Sequence, residues 1–411
     1  MTSDHLKPEP RLRRATGLPL LVLYGLGITI GAGIYVLIGA AAEQAGQYAP
    51  TAFLVAAFVM AFSALSFAEL SGRYPQSAGE AVYVDAGFGL NWLTTFTGVM
   101  IIFAATIAGA AISVGSAGYI GVLVPLPKAV IITAVVVAMG FVAARGVKES
   151  LVFAGILTII EILGLLAIVF AGFVKNPEML RHIPSVIPPL TDGAAYAGIL
   201  SASLIAFFAF IGFDDVVNMV KETENPNRTM PRAIIISLIS VTLIYFFVVF
   251  VAVQSVDIDA LAQSQAPVGL LFERLTGLSP IGIALVAIVA TINGVVIEII
   301  MASRVIYGMS KKGRLPKILG KVAPRTQVPL NATLLITIVM LIFAVGIPLD
   351  ALVSWTSQII LAAFFLVNVS LVIIKTRGNA PPKDGFVAPF ICPILGAGTC
   401  ATLLFGTWLF T

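Results

Sequence analysis

The sequence predicts an all-α integral membrane protein of eleven spans, in which spans 1–5 and 6–10 form a five-plus-five inverted repeat with interrupted helices 1 and 6. Three observations lead there. Of 411 residues, 59% are hydrophobic and only 11% charged, where a soluble globular protein carries roughly 25% charged residues. That leaves too little polar surface to coat a water-facing shell. The apolar residues gather into eleven runs long enough to cross a hydrocarbon core, which takes about 20 residues for roughly 30 Å. The basic residues fall almost entirely in alternate connections. The same composition excludes a soluble enzyme, a disordered chain and a nucleic-acid-binding domain. Cys392 and Cys400 share one apolar stretch and form no disulfide framework. His5 and His182 lie in polar segments, so no metal site, cofactor or His-based catalytic triad is implied.

In chain order the spans run near 18–42, 50–70, 91–122, 127–144, 150–174, 196–220, 232–255, 279–303, 331–347, 350–374 and 389–411. Backbone groups cannot stay unpaired in lipid, and runs of this length and continuity are helices rather than barrel strands. The first apolar run is of span length and lacks an A-x-A-like site, so no cleavable signal peptide is expected. With the N-terminus cytoplasmic, the inside segments hold twenty of the 24 Lys and Arg residues, and the outside segments keep Lys128, Lys175, Arg181 and Arg274. That split satisfies the positive-inside rule and places the C-terminus outside the cell membrane. The organisation is then a cytoplasmic tail over 1–17, a first repeat over 18–174, an extracellular loop over 175–195, a second repeat over 196–374, and a loop with the eleventh span over 375–411.

Span 1 carries Gly25, Gly27, Gly31 and Gly33. The Gly31-Ala32-Gly33 triplet lets the backbone open locally and a ligand approach its amides. Close packing is the competing reading, since Gly27 and Gly31 also form a G-x-x-x-G. Span 6 has Gly212 in mid-span, with Asp214 and Asp215 soon after. Two adjacent acids in an unbroken lipid-facing helix would be very unfavourable. At the start of a new half-helix they cap free N–H groups and suit its positive end, so a break is expected near Phe210–Phe213. Spans 1 and 6 open corresponding sets of five that run in opposite directions. Paired breaks in such positions point to a transport site at the bilayer midplane, where half-helix amides meet an anionic group and unwound carbonyls a cationic one. A zwitterionic amino acid fits both.

Four segments carry a family resemblance: Gly27–Gly39, Ser66–Val84 in the loop after span 2, Phe207–Ile234, and Met301–Pro316. They resemble the amino acid–polyamine–organocation superfamily, with its leucine-transporter-type fold, and are most similar to its cationic amino acid transporter branch and related bacterial permeases. The resemblance implies a secondary active transporter that works by alternating access. It implies that the amides of Ala32 and Gly33 meet the substrate carboxylate, that carbonyls of Thr29, Phe208, Ala209 and Ile211 meet its amine, and that the Phe208 ring gates the site. Members usually have twelve or more spans, whereas this sequence stops after the eleventh with the core of ten complete.

An acid within a span is costly unless protonated, paired or facing a cavity, which makes each one a functional candidate. Glu161, in mid-span 5, has no basic partner in any span and is the candidate proton-coupling residue. The resemblance places it where one proton-coupled member carries a lysine, beside the sodium site of sodium-coupled relatives. The alternative is a protonated Glu161 donating to a neighbouring carbonyl. Glu298, on span 8, is either part of the same polar patch or an independent buried acid. Span 8 lacks the Ser/Thr pair that the sodium site needs, so H+ coupling or exchange is expected. Glu69 pairs with Arg73 at i+4, and Pro231 suits the first turn of span 7. The basic run from Arg304 to Arg325 is a topology determinant first and an anionic-lipid contact second. No basic residue lies deep in a span to meet an anionic side chain. The linings favour a small or apolar amino acid, while Asp214 and Asp215 could meet a cationic one or a polyamine. A membrane sensor that binds an amino acid without moving it is the alternative class.

Overall fold

The computed structural model describes residues 16–31, 33–75, 79–146, 151–221, 223–379, 381 and 385–410, the side chains of 151–153, 218, 221 and 407–410 aside. Span 1 is two short helices, α1 (Leu18–Ile30) and α2 (Gly33–Ala45). Span 2 is α3 (Ala49–Arg73), and α4 (Gly79–Phe88) is a short helix inside the connection that follows. Spans 3 to 5 are α5 (Asn91–Leu123), α6 (Lys128–Arg145) and α7 (Leu151–Lys175). Span 6 is α8 (Gly193–Phe210) followed, after a turn, by a 3₁₀ segment (Asp214–Lys221). Span 7 is α9 (Pro226–Ser255), and two short helices, α10 (Ile258–Gln263) and α11 (Pro267–Thr276), lead into α12 (Ile281–Lys311). The remaining spans are α13 (Leu330–Gly346), α14 (Leu349–Thr376) and α15 (Ile391–Phe410).

Among the described residues, eight helical stretches are long and apolar enough to cross a membrane, and Leu18–Ile30, Leu330–Gly346 and Ile391–Gly406 are shorter apolar helices. Large apolar side chains stand outward on the bundle, among them Phe58, Phe141, Phe170 and Leu334, each more than half exposed. In water such a surface would aggregate; in a bilayer it is the lipid contact. The protein is a multi-pass helical membrane protein.

The helices pack in two groups. α1, α2, α3, α8 and α9 contact one another, and α5, α6, α12 and α13 form the second set. α7 lies against α1 and α9, while α14 lies against α8, α3 and α5. Buried polar side chains tie the periphery. Asn368 of α14 donates to Ser63 (2.9 Å) and accepts from Ser66 (2.6 Å), both on α3, and Ser63 lies 3.5 Å from the Cys400 sulfur of α15. At one end Glu69, with no exposed side-chain surface, is 2.7 Å from both Arg73 and Lys375, and it accepts from the Ala388 N–H at 2.8 Å. The expected Glu69–Arg73 pair is therefore part of a larger buried clamp holding α3, α14 and the approach to α15.

The start of span 7 differs from expectation. α9 begins at Pro226, so Pro231 lies inside the helix. A proline at the first helical position loses no hydrogen bond; Pro226 fills that role, and Asn225 before it is left-handed with φ 45°.

Candidate functional site

The two interruptions meet. α1 ends at Ile30 and α2 begins at Gly33, with Gly31 itself still in right-handed helical geometry; Ala32 lies outside the described residues. The span-6 interruption is sharper. Ile211 is extended and Gly212 takes φ 125°, a region closed to most side chains. The Gly212 N–H donates to Asp214 Oδ1 at 2.9 Å. Asp214 thus caps the turn itself, and the chain resumes as a 3₁₀ rather than an α segment.

Each interruption presents a glycine to the other span. A Cβ on Gly33 would stand 2.4 Å from Cα of Ala209, and one on Gly212 would stand 2.6 Å from the Ile28 side chain and 3.2 Å from the Thr29 nitrogen. Only hydrogen fits at either place. Tyr245, from the middle of α9, spans the junction: its hydroxyl lies 2.7 Å from the Thr29 carbonyl and 3.1 Å from that of Ala209. One phenol proton serves two carbonyls, one from each interrupted helix. The ring is held by edge-on and tilted contacts with Phe53 and Phe210.

Of the carbonyls expected to meet an amine, those of Thr29 and Ala209 face Tyr245, and that of Phe208 accepts from the Ile211 N–H at 3.1 Å. The Phe208 ring is buried, 7% exposed. Its neighbours Phe207 and Phe213 stack edge-on with Phe364.

Glu161 lies one turn beyond Thr158 on α7, and Thr158 Oγ1 fills the space where a Gly27 side chain would be. Glu161 is 3% exposed, and its Oε2 has no hydrogen-bond partner among the described residues. The Tyr35 hydroxyl of α2 donates to the Glu161 carbonyl at 3.3 Å. Tyr35 is tied onward, since the Tyr119 hydroxyl of α5 donates to its carbonyl and accepts from the Val268 N–H of α11.

Glu298 keeps different company. A Cβ on Gly109 of α5 would stand 3.1 Å from the Glu298 Cβ, and its carboxyl is near enough to those of Asp214 and Asp215 for the three to act on one another. The structure therefore groups Glu298 with the span-6 acids, apart from Glu161. A fourth acid joins them. Glu80 of α4, outside the spans, is buried, and its carboxyl and that of Asp214 act on each other. Burial first, then the Asp214 charge, push the Glu80 carboxyl up to about 8.

Tyr245, Tyr35 and Glu80 are the residues that sequence reasoning missed. A tyrosine in the middle of an apolar span was the available signal, because a buried hydroxyl needs a partner. Glu80 stood in a segment already singled out, but nothing in the sequence brings it to Asp214.

Residues 18–411 match the amino acid permease family. The chain is 30% identical to the branched-chain amino acid permease BcaP of Bacillus subtilis, over 94% of this chain and 85% of that protein. It is 31% identical to cationic amino acid transporter 3, mitochondrial, of Arabidopsis thaliana, over 91% of this chain and 64% of the relative. It is 30% identical to the methylthioribose transporter of Bacillus subtilis, over 95% and 88%.

Proposed function

The chain belongs to the amino acid permease family, whose members are permeases rather than enzymes, and we propose that it is a secondary active transporter that carries an amino acid across the cell membrane by alternating access. The observation that carries the reading is the crossing of two interrupted helices, with the Tyr245 hydroxyl between a carbonyl of each. Such a crossing brings main-chain polar groups outside regular helix to one place without putting charge into lipid. The substrate carboxylate meets amides of Ala32 and Gly33, and its amine meets the carbonyls of Thr29, Phe208, Ala209 and Ile211. An arriving amine competes with Tyr245 for two of those carbonyls, so binding is exchanged for a bond the protein already makes.

The packing supports a leucine-transporter-type five-plus-five inverted repeat. Each helix group contains matching members of both halves: spans 1 and 2 with 6 and 7, and spans 3 and 4 with 8 and 9. Span 5 leans on span 1 as span 10 leans on span 6. The α10 segment covers α2 so closely that a Gly39 Cβ would stand 2.6 Å from the Leu261 carbonyl oxygen. The cavity of about 210 Å³ beside it, lined in part by Glu43, Lys128 and Asp350, is the remnant of the vestibule on that side. We read this side as extracellular, with both chain orientations as the basic residues predict.

Proton coupling rests on Glu161, whose buried, unpartnered oxygen lies beside the helix that must move. A small or apolar amino acid suits the lining. Asp214 and Asp215, next to the span-6 break, are the acids that would instead meet a cationic side chain or a polyamine. The named relatives include both classes. Countertransport of radiolabelled amino acid in proteoliposomes, with a competition panel of neutral and cationic amino acids, tests the reading. Saturable binding with no countertransport of any of them would refute transport and leave the sensor.

A further inference from the structure

A cavity of about 460 Å³ lies away from the crossing, between α6, α12 and the connection from α12 to α13. One part of its lining is apolar, with Ala143, Ile300, Val322 and Val328. The other is polar, with Ser303, Arg304, Tyr307 and Gln327. Its walls are set by backbone contacts. Gly146 closes α6 with φ 73°, and a Cβ there would stand 2.7 Å from the Thr326 carbonyl oxygen. The connection is itself a closed turn: the Ala323 N–H donates to the Val328 carbonyl (3.0 Å) and the Gln327 N–H to the Ala323 carbonyl (2.9 Å). Gln327 is held there at φ 55°, which few residues other than glycine adopt.

The surroundings carry one sign of charge. Between Ile299 and Leu349 the sequence has seven cations, Arg304 to Arg325, and no Asp or Glu. Arg304 makes no ion pair among the described residues. Lys311 lies 5.6 Å over the Tyr307 ring, and Arg145, next to Gly146, lies 4.2 Å over Phe141. The cavity sits where α6 ends and near where α12 leaves its apolar stretch, which is headgroup depth. An inorganic anion would use only the polar wall. A phospholipid would use both, with its phosphate at Arg304 and its glycerol and first methylenes along the apolar wall.

We propose that this cavity is a binding site for the headgroup of an anionic phospholipid, with Arg304 pairing the phosphate and Tyr307 and Gln327 donating to its oxygens. Clusters of basic residues between spanning helices hold such headgroups at about fivefold in affinity per cation. The site makes no demand on the substrate or on coupling.

The test is thermal melting of the purified full-length protein in detergent, titrated with short-chain phosphatidylglycerol, with phosphatidylcholine of the same chains, and with inorganic phosphate. Phosphatidylglycerol raises the melting temperature saturably, and the other two do not reproduce it. Arg304→Gln weakens the apparent affinity about fivefold or more, and Tyr307→Phe, which keeps the ring, weakens it in the same direction. Lys317→Gln removes an equal charge outside the cavity and changes nothing. Should Arg304→Gln fail to fold, Tyr307→Phe decides. The proposal is overturned by an equal response to phosphatidylcholine, by a loss in Lys317→Gln as large as in Arg304→Gln, or by saturation with inorganic phosphate alone, which marks a site for a free anion.

Discussion

Replacing Gly33 with alanine adds one methyl group at the tightest point of the helix crossing. That carbon would stand 2.4 Å from Cα of Ala209 and 2.7 Å from its Cβ, where ordinary contact begins at 3.4 Å, so about 1 Å must be found. No side-chain rotation supplies it, because the opposing atoms are the α8 backbone and a methyl. The two helices have to separate. Overpacking of this kind costs about 1–3 kcal/mol. The cost falls on every state in which α2 touches α8 and is absent from any state in which the crossing is open. At about 1.4 kcal/mol per tenfold, the closed crossing loses between about fivefold and a hundredfold in relative population. Radiolabelled amino acid uptake by proteoliposomes should fall by at least about fivefold for protein that inserts normally, with a lower melting temperature. Gly398→Ala, whose Cβ meets nothing within 4 Å, is the neutral control. Wild-type uptake together with wild-type melting in Gly33→Ala would refute the claim that transport depends on this contact.

Tyr245→Phe leaves two buried carbonyls without their donor and should lower stability by about 1–3 kcal/mol, with part of the loss restored by saturating substrate; an unchanged melting curve removes the bridging role. Glu161→Gln keeps the volume but cannot carry a proton, so proton-driven accumulation should disappear while exchange persists, and unchanged uptake with an unchanged pH profile excludes Glu161 from coupling. Glu69→Gln strips the counter-charge from Arg73 and Lys375, whose side chains are 6% and 10% exposed. The expected cost is about 3–5 kcal/mol, read as a drop in melting temperature, and a shift of under a degree contradicts it. Glu80 is raised from 4.5 to about 8 by burial and then by Asp214, so the folded state keeps a proton that the unfolded state has released. Its stabilisation is full below 4.5 and is lost as pH rises through about 8. Glu80→Gln should therefore flatten the fall in melting temperature across that window; parallel curves for mutant and wild type count against it.

Much of the architecture was legible because bilayer physics acts on one segment at a time. A span must be about 20 apolar residues, so the borders of α3, α5 and α14 could be read within a few residues without knowing a neighbour. The span-6 break was legible for the same reason: Gly212 and the two aspartates are a local contradiction in an apolar run, and local structure resolves it. Span 1 was harder, since its glycines served equally for packing, and Gly33 in fact serves a close contact at the break.

The partners of each buried polar group were not legible. Glu161 and Glu298 look alike in sequence, each a lone acid in an apolar helix, yet one lies beside Tyr35 and the other in the field of Asp214 and Asp215. Which acid meets which tyrosine depends on how helices far apart in the chain are rotated against each other, and no local pattern encodes that. The sequence alone determined that the protein is a helical membrane protein and where the helices of spans 1 and 6 give way, because each follows from the cost of exposing backbone or charge to lipid. The tertiary structure alone decided that the two interruptions touch, that Tyr245 lies between them, and that Glu80 is drawn in from outside the spans, because those are packing outcomes between segments up to more than two hundred residues apart.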